Sequence, residues 1–324
     1  MDRTVTWPRT RAIVNPRAGQ ARFRYDGSAP DPVLAPFVAH FWVVTWDLRG
    51  EPPHRQQVMP HPRVNMTFMA SSPVVGDGGA PLRGSAHSGS AESDASGPGT
   101  RVPRAHSRCR VAGVVRGHFT ELLTGAGRVV GASFRPGGFR PLLGAPVATI
   151  TDRFLPVPEM FGALGEAAGD AIVAAPDGDA AVDVLADFLR AVVPDPDPMV
   201  DLVDAIVTAV AANPTVTRVP TLAAAAGVGA RRLQRLFHEY VGVGPKWVIR
   251  RYRIHEAAAR VADGDPVDWA ELAAALGYAD QAHFTRDFTA TVGQSPARYA
   301  RECARSADES GPSADGSGSS ADLV

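Results

Sequence analysis

Two stretches decide the fold: TLAAAAGV at 221–228 with LQRLFHEYVGVGP at 233–245, and ELAAALGY at 271–278 with FTRDFTATVGQSP at 284–296. The first blocks of the two copies lie 50 residues apart and the second blocks 51, so one residue has been added between them. Each copy reads as a short Ala-rich helix, a Gly turn and a second helix. That is the helix-turn-helix layout, repeated within one chain.

The chemistry lies on the second helix of each copy. In the first, Leu233, Leu236, Phe237 and Tyr240 recur at i, i+3, i+4 and i+7 and are expected to face a core. At about 100° per residue, Arg231, Gln234, Arg235 and His238 then project from the opposite side. In the second, Phe284 and Phe288 point inward, while Ala282, Thr285, Arg286 and Thr289 project outward and Gln281 stands at the N-terminal end. Arg pairs bidentately with guanine O6 and N7, Gln with adenine N6 and N7, and small or methyl-bearing side chains meet a thymine methyl. A polar face of these residue types, on a helix held by its apolar side, suits major-groove readout. A solvated face of a helical bundle explains either helix taken alone; two copies with Arg235 and Arg286 at corresponding places argue against that blander reading.

Between the copies, PKWVIRRYRIHEAAARVADGD (245–265) places Trp247, Ile254, Ala258 and Val261 on one face and reads as a helix ending near Gly264. Some 16 residues span about 24 Å, and successive major-groove faces on one side of DNA lie about 34 Å apart. One chain is therefore expected to read two adjacent groove segments, an asymmetric site of about two turns. Residues 229–260 carry eight Arg and Lys against two Glu, although the whole chain has a net charge of only −1. A local basic stripe of this kind is the electrostatic footprint of phosphate contact, or the solvated face of a helix.

Outward from the repeats, the 324-residue chain allows about two domains. It is 45% hydrophobic and 21% charged, with a mean hydropathy of −0.07, an ordinary globular composition. No apolar run reaches the ~18 residues of a membrane span. The basic N-terminus MDRTVTWPRTRAIVNPR lacks the apolar core of a secretory signal. Cys109 and Cys303 form neither a disulfide framework nor a metal site, and a cytoplasmic location is expected. FVAHFWVVTWDL (37–48) is apolar on both faces, as in a mostly buried strand; RVNMTFM (63–69) puts Val64, Met66 and Phe68 on one face. Strand-like sequence resumes at 111–119 and 128–143, with a turn at Gly137-Gly138. Residues 71–108, rich in Gly, Ser, Pro and Ala, read as a disordered insertion. Residues 179–193 take up helical period through Val182, Leu185, Leu189 and Val192, and Pro194, Pro196 and Pro198 then mark a boundary. The expected fold is α+β: a mostly-β domain over residues 1–193, then an all-α domain over 195–305 with two helix-turn-helix units joined by a linker helix, and a disordered tail over 306–324.

With these residues in view, the chain resembles the AraC/XylS family of transcription regulators. The resemblance rests on LAAAAGVGARRLQRLFHEYVGVGPKWVIRRYRIHEAA (222–258) and WAELAAALGYADQAHFTRDFTATVGQSPARY (269–299), about 100 residues with both repeats, the linker helix and the closing Pro296–Tyr299 signature. It implies seven helices that place two recognition helices on double-stranded DNA. It also implies Arg231, Gln234 and Arg235 as base readers of the first, and Gln281, Ala282, Thr285 and Arg286 as those of the second. It gives Arg253 a structural place and leaves RNA polymerase, a small-molecule effector and a second copy of the chain as further partners. Gly229-Ala230 stands where the family often has Ser-Pro, which weakens the helix start because Gly caps less well than Ser. PFVAHFWVVTWDL (36–48), VMPHPRVNMTF (58–68) and VVGASFRPGGFRPLLGAPVATITDRFLPVPEMFG (129–162) resemble a sensor-type domain often fused to this family, with no ligand implied.

The remaining candidates are weaker. His54, His61, His87, His106 and His118 have no metal-ligand spacing, and neither a metal nor a cofactor is expected. Trp42 and Trp46 suit a ligand pocket or a core, and the core is favoured. In FRPGGF (134–139), Arg135 with the Gly amides suits an anion cradle or, in preference, a structural turn. A regulator modulated through residues 1–190 is the favoured function, and no enzyme is expected. The alternative is a DNA-targeted enzyme or repair protein with chemistry in the N-terminal half, which would require an activated Cys109.

Overall fold

The computed structural model describes residues 22–59, 61–71, 108–117, 119–262 and 267–309. Most of the 71–108 insertion, most of the proposed tail, His87, His106, His118 and Gly264 lie outside the described residues.

The N-terminal half is an antiparallel sheet in the order β1-β2-β7-β4-β5-β8, beside a separate β3–β6 pair. Its strands are β1 (Arg24–Ser28), β2 (Val38–Leu48), β3 (His54–Val58), β4 (Asn65–Ser71), β5 (Cys109–Ala112), β6 (Phe119–Leu123), β7 (Gly125–Phe134) and β8 (Phe154–Pro156). The register explains which residues meet. Phe41 sits opposite Ala132 and Val43 opposite Val130, while Met66 and Phe68 of β4 flank the same two residues of β7. These side chains form one buried stripe. Helices α2 (Val157–Ala174) and α3 (Gly178–Val192) pack over it. Asp177 caps α3 by accepting from Ala180 N at 2.8 Å, and Val182, Leu185 and Leu189 face the core, as their period predicts.

The other face of β2 carries both indoles. Gly127 and Gly131 make room for them: a Cβ at either position would lie 2.3 Å or 2.5 Å from the Trp46 or Trp42 ring. Trp46 is buried with Phe23, Leu48 and Leu123 and donates to the Thr124 carbonyl at 3.1 Å. That places Trp46 in a core.

Two readings of the N-terminal half need correction, and one helix carried no reading. The strand-like stretch 128–143 leaves β7 at Phe134; Pro136 and Gly137, with φ 86°, turn the chain into the single-turn helix α1 (Arg140–Leu143). The stretch 111–119 is not one strand: β5 ends at Ala112, where a Cβ on Gly113 would lie 1.8 Å from the Ile150 carbonyl oxygen. Helix α2 was not foreseen because it is dominated by Ala and Gly. It kinks at Gly162, with φ 58° and ψ −145°, which breaks the apolar period.

From Pro198 onward the described residues are helical: α4 (Pro198–Ala212), α5 (Val219–Ala225), α6 (Ala230–Leu236), α7 (Pro245–Ala262), α8 (Trp269–Ala275), α9 (Gln281–Val292) and α10 (Pro296–Glu309). A five-residue π-turn, Phe237–Val241, follows α6 directly. Helix α10 corrects the proposed start of the tail, since residues 306–309 continue it; each further residue adds a backbone bond to a helix already nucleated. The repeat is visible in the backbone, with α5 and α6 joined through Gly227 (φ 64°) and α8 and α9 through Gly277 (φ 80°). A left-handed residue at that point favours Gly.

The linker helix α7 is shared between two cores. Val248, Ile249 and Tyr252 belong to the large cluster that also holds the β-sheet core and the first helix-turn-helix. Ile254, Ala257, Ala258 and Val261 belong to a second cluster with α8, α9 and Tyr299 of α10. Its 18 residues span about 27 Å.

Candidate nucleic-acid interface

Helix α6 is held from beneath. Leu233 and Phe237 are fully buried and Leu236 is 9% exposed. The same register leaves Arg231, Gln234, Arg235 and His238 exposed. They line an open groove of about 690 Å³, together with Arg232, Leu236, Glu239 and Tyr240. Tyr240 differs from its expected place in the helix-turn-helix core. It is half-buried, and its hydroxyl donates to Asp197 at 2.7 Å. Burial, reinforced by that carboxylate, pushes the Tyr240 phenol up to about 12. No side chain caps α6, because Gly229 occupies the N-cap.

Helix α9 repeats the arrangement with firmer ends. Phe284 and Phe288 are fully buried, and Gln281, Ala282 and Arg286 are exposed. Thr285 is half-buried, and its carbonyl accepts the Thr289 hydroxyl at 2.7 Å. Asp280 caps the helix by accepting from His283 N at 2.6 Å. From the linker, Arg250 reaches His283 Nε2 at 3.0 Å and Asp287 at 3.6 Å, tying α7 to α9.

The basic stripe over 229–260 divides in two. Arg251 and Arg253 are only 3% and 1% exposed. Arg253 donates to the Val210 carbonyl of α4 and, at 2.9 Å, to Glu256, the structural place that the resemblance implies for it. Arg251 stacks on Trp247 with its guanidinium carbon 4.6 Å from the ring centroid and donates to the Arg116 carbonyl; burial lowers its pKa to about 10. Arg260 pairs with Glu256 at 2.6 Å. Arg231, Arg232, Arg235 and Lys246 remain exposed. The net positive count thus overstates what faces solvent, because long cationic side chains on α7 are spent on internal carbonyls and carboxylates. Arg232 and Lys246 were not singled out in the sequence, although they lie in the same basic run.

The other candidates settle into structural places. Arg135 donates to Asp204 at 2.9 Å and to the Pro36 carbonyl at 3.3 Å, and it pairs with Asp201 at 2.8 Å; it serves the structural turn. Among the described residues no cluster of His, Cys, Asp and Glu could hold a metal ion. Cys109 is half-buried, and its sulfur would lie 2.9 Å from a Cβ at Gly169. Burial pushes its thiol up to about 11, the opposite of an activated nucleophile, which speaks against the repair reading. Cys303 is buried at 5% exposure. No described helix is long and apolar enough to cross a membrane.

Residues 222–302 match the family model described as a helix-turn-helix domain. Residues 27–156 match a domain of unknown function, DUF6597. No curated protein matches. Among solved structures, the chain is similar to ToxT from Vibrio cholerae O395 at 11% identity and a TM-score of 0.36, covering 87% of this chain and 98% of that one. It is also similar to unsaturated-fatty-acid-bound ToxT from Vibrio cholerae strain SCE256, at 16% identity and a TM-score of 0.29, over 56% and 72% of the two chains. The AraC-like transcriptional activator CuxR is similar at 16% identity and a TM-score of 0.21, over 76% and 90%. Residues 222–302, which hold both helix-turn-helix units and the linker helix between them, form a helix-turn-helix domain.

Proposed function

We propose that one chain reads an asymmetric DNA site of about two turns. Helix α6 reads one major-groove segment through Arg231, Gln234, Arg235 and His238, and α9 reads the next through Gln281, Ala282, Thr285 and Arg286. The observation that carries this reading is the matched pair of helices, each buried on its Phe side with its arginine exposed (Arg235 on α6, Arg286 on α9), joined by one continuous helix. Arg232 and Lys246 supply phosphate contacts that position the readers without carrying sequence.

The N-terminal half modulates this binding in response to a small molecule or a partner, and it also offers a surface for a second copy. The support is its direct packing on the first helix-turn-helix within one continuous core. Sedimentation that finds a monomer at working concentrations would remove the second copy from this account.

The reading is tested by genome-wide pull-down of DNA fragments with the full chain, beside an Arg235→Ala plus Arg286→Ala double variant. Wild type is expected to enrich a shared motif about two turns long that the double variant loses. Enrichment with no shared motif, falling steeply with salt, would mean phosphate contact alone and would overturn the assignment of the readers.

A further inference from the structure

The two copies of the repeat have equal length from Leu233 to Pro245 and from Phe284 to Pro296, yet their backbones differ. In the second copy α9 runs unbroken for 12 residues, and Gly293 N–H bonds to the Thr289 carbonyl, four residues back. In the first, α6 stops after seven residues, and Gly242 N–H bonds to the Phe237 carbonyl, five residues back. The additional residue per turn appears where the N-terminal half touches the helix. Arg140 donates to Glu239 at 2.6 Å, and its guanidinium carbon stands 6.0 Å from the Tyr240 ring centroid. The Thr151 hydroxyl donates to the Gly242 carbonyl at 2.7 Å. A Cβ at Gly242 would lie 2.9 Å from that hydroxyl oxygen, so the chain passes against the short 3₁₀ helix Val147–Ile150 and Thr151 with no room to spare. At the matching positions of the second copy stand Ala290 and Thr291, which have neither a carboxylate nor a ring.

Two further observations agree. Helix α6 has seven residues and no side-chain cap, and so short a helix is marginal unless something else holds it, whereas Asp280 caps α9. The first helix-turn-helix shares its core with the β-sheet; Met59 is the one N-terminal side chain within the second core among the described residues.

We propose that Arg140 and Thr151 are positioning residues for DNA reading. Through the π-turn they fix the first recognition helix, so the N-terminal half sets the first reading head while the second stands on its own cap and on Arg250. Arg231, Gln234, Arg235 and His238 stay exposed while these contacts are made, so the contacts brace the head and do not cover it. A signal received by the N-terminal half then changes half of the recognised site and spares the other half. This inference rests on the two-head reading above.

The test is selection from a random double-stranded DNA pool with the full chain: wild type, Arg140→Glu, Glu239→Arg, the Arg140→Glu/Glu239→Arg exchange, and Thr151→Val. Wild type is expected to select a motif with two halves. Each single variant is expected to keep the second half and to lose base preference in the first, with binding to the wild-type first half roughly 3–10-fold weaker. The exchange is expected to restore it. Loss spread equally over both halves, no loss in any variant, or no restoration by the exchange would overturn the inference. A wild-type motif with one half only would overturn the two-head reading, and this inference with it.

Discussion

Single residues show how closely position controls role. Arg253 and Arg235 both lie in the basic run, yet one is 1% exposed beneath α4 and the other is open to solvent. Sequence period distinguishes them in part, since Arg253 lies four residues from both Ile249 and Ala257 on the buried face of α7, but charge alone does not. Replacing either Arg235 or Arg286 by Ala is expected to weaken specific DNA binding about 10–100-fold, the worth of one bidentate base pair contact, with little effect on folding; titration of a selected site at fixed salt measures it. The turn glycines give a second contrast. Gly227 and Gly277 both have positive φ, but a Cβ at 277 would lie 2.6 Å from Thr217 Cβ, whereas nothing stands near 227. Gly277→Ala is therefore expected to cost clearly more stability in urea unfolding than Gly227→Ala, which bears only the ~1–2 kcal/mol of the left-handed backbone. His40 on β2 is pushed down to about 4 by burial, with Arg63 adding to the effect. Its unfolded value is about 6.5. The unfolded chain thus takes up the proton first, and the folded state loses stability as pH falls from about 6.5 towards 4. Thermal unfolding is expected to show that slope, and His40→Gln to flatten it.

At the scale of elements, the helix-turn-helix pair was legible because its signal is local and doubled: apolar spacing, a Gly turn and the same order twice. Strand β2 was legible because it is apolar on both faces, each of which meets a core, and β4 because Met66 and Phe68 alternate onto one buried face. Helix α2 and the break between β5 and β6 were not, because Gly162 interrupts one period and a long-range contact with Ile150 ends the other strand. The π-turn had no sequence signal at all, since both copies have the same length; its partners Arg140 and Thr151 lie 99 and 91 residues away in the chain. Caps are the testable difference between the two recognition helices. Asp280→Ala is expected to cost about 1 kcal/mol by removing the side-chain acceptor for His283 N. Gly229→Ser is expected to gain a few tenths of a kcal/mol, because the backbone there is already extended and nothing lies within 4 Å of the new Cβ. Chemical unfolding of the two variants measures both.

At the scale of the whole molecule, the β-rich half and the first helix-turn-helix form one hydrophobic core, while the second helix-turn-helix has its own, with α7 entering both. That arrangement gives the linker helix a mechanical role. It joins α9 to a body that includes α6, so on the proposed reading a single chain presents two reading surfaces without needing a symmetric partner. The measurement that tests this most directly is methylation protection of guanine N7 on a selected site, with wild type and with Arg235→Ala and Arg286→Ala separately. Wild type is expected to protect two groups of guanines about one helical turn apart, and each variant to lose one group and keep the other. A single protected group, or the same group lost in both variants, would contradict the claim that one chain reads two adjacent segments.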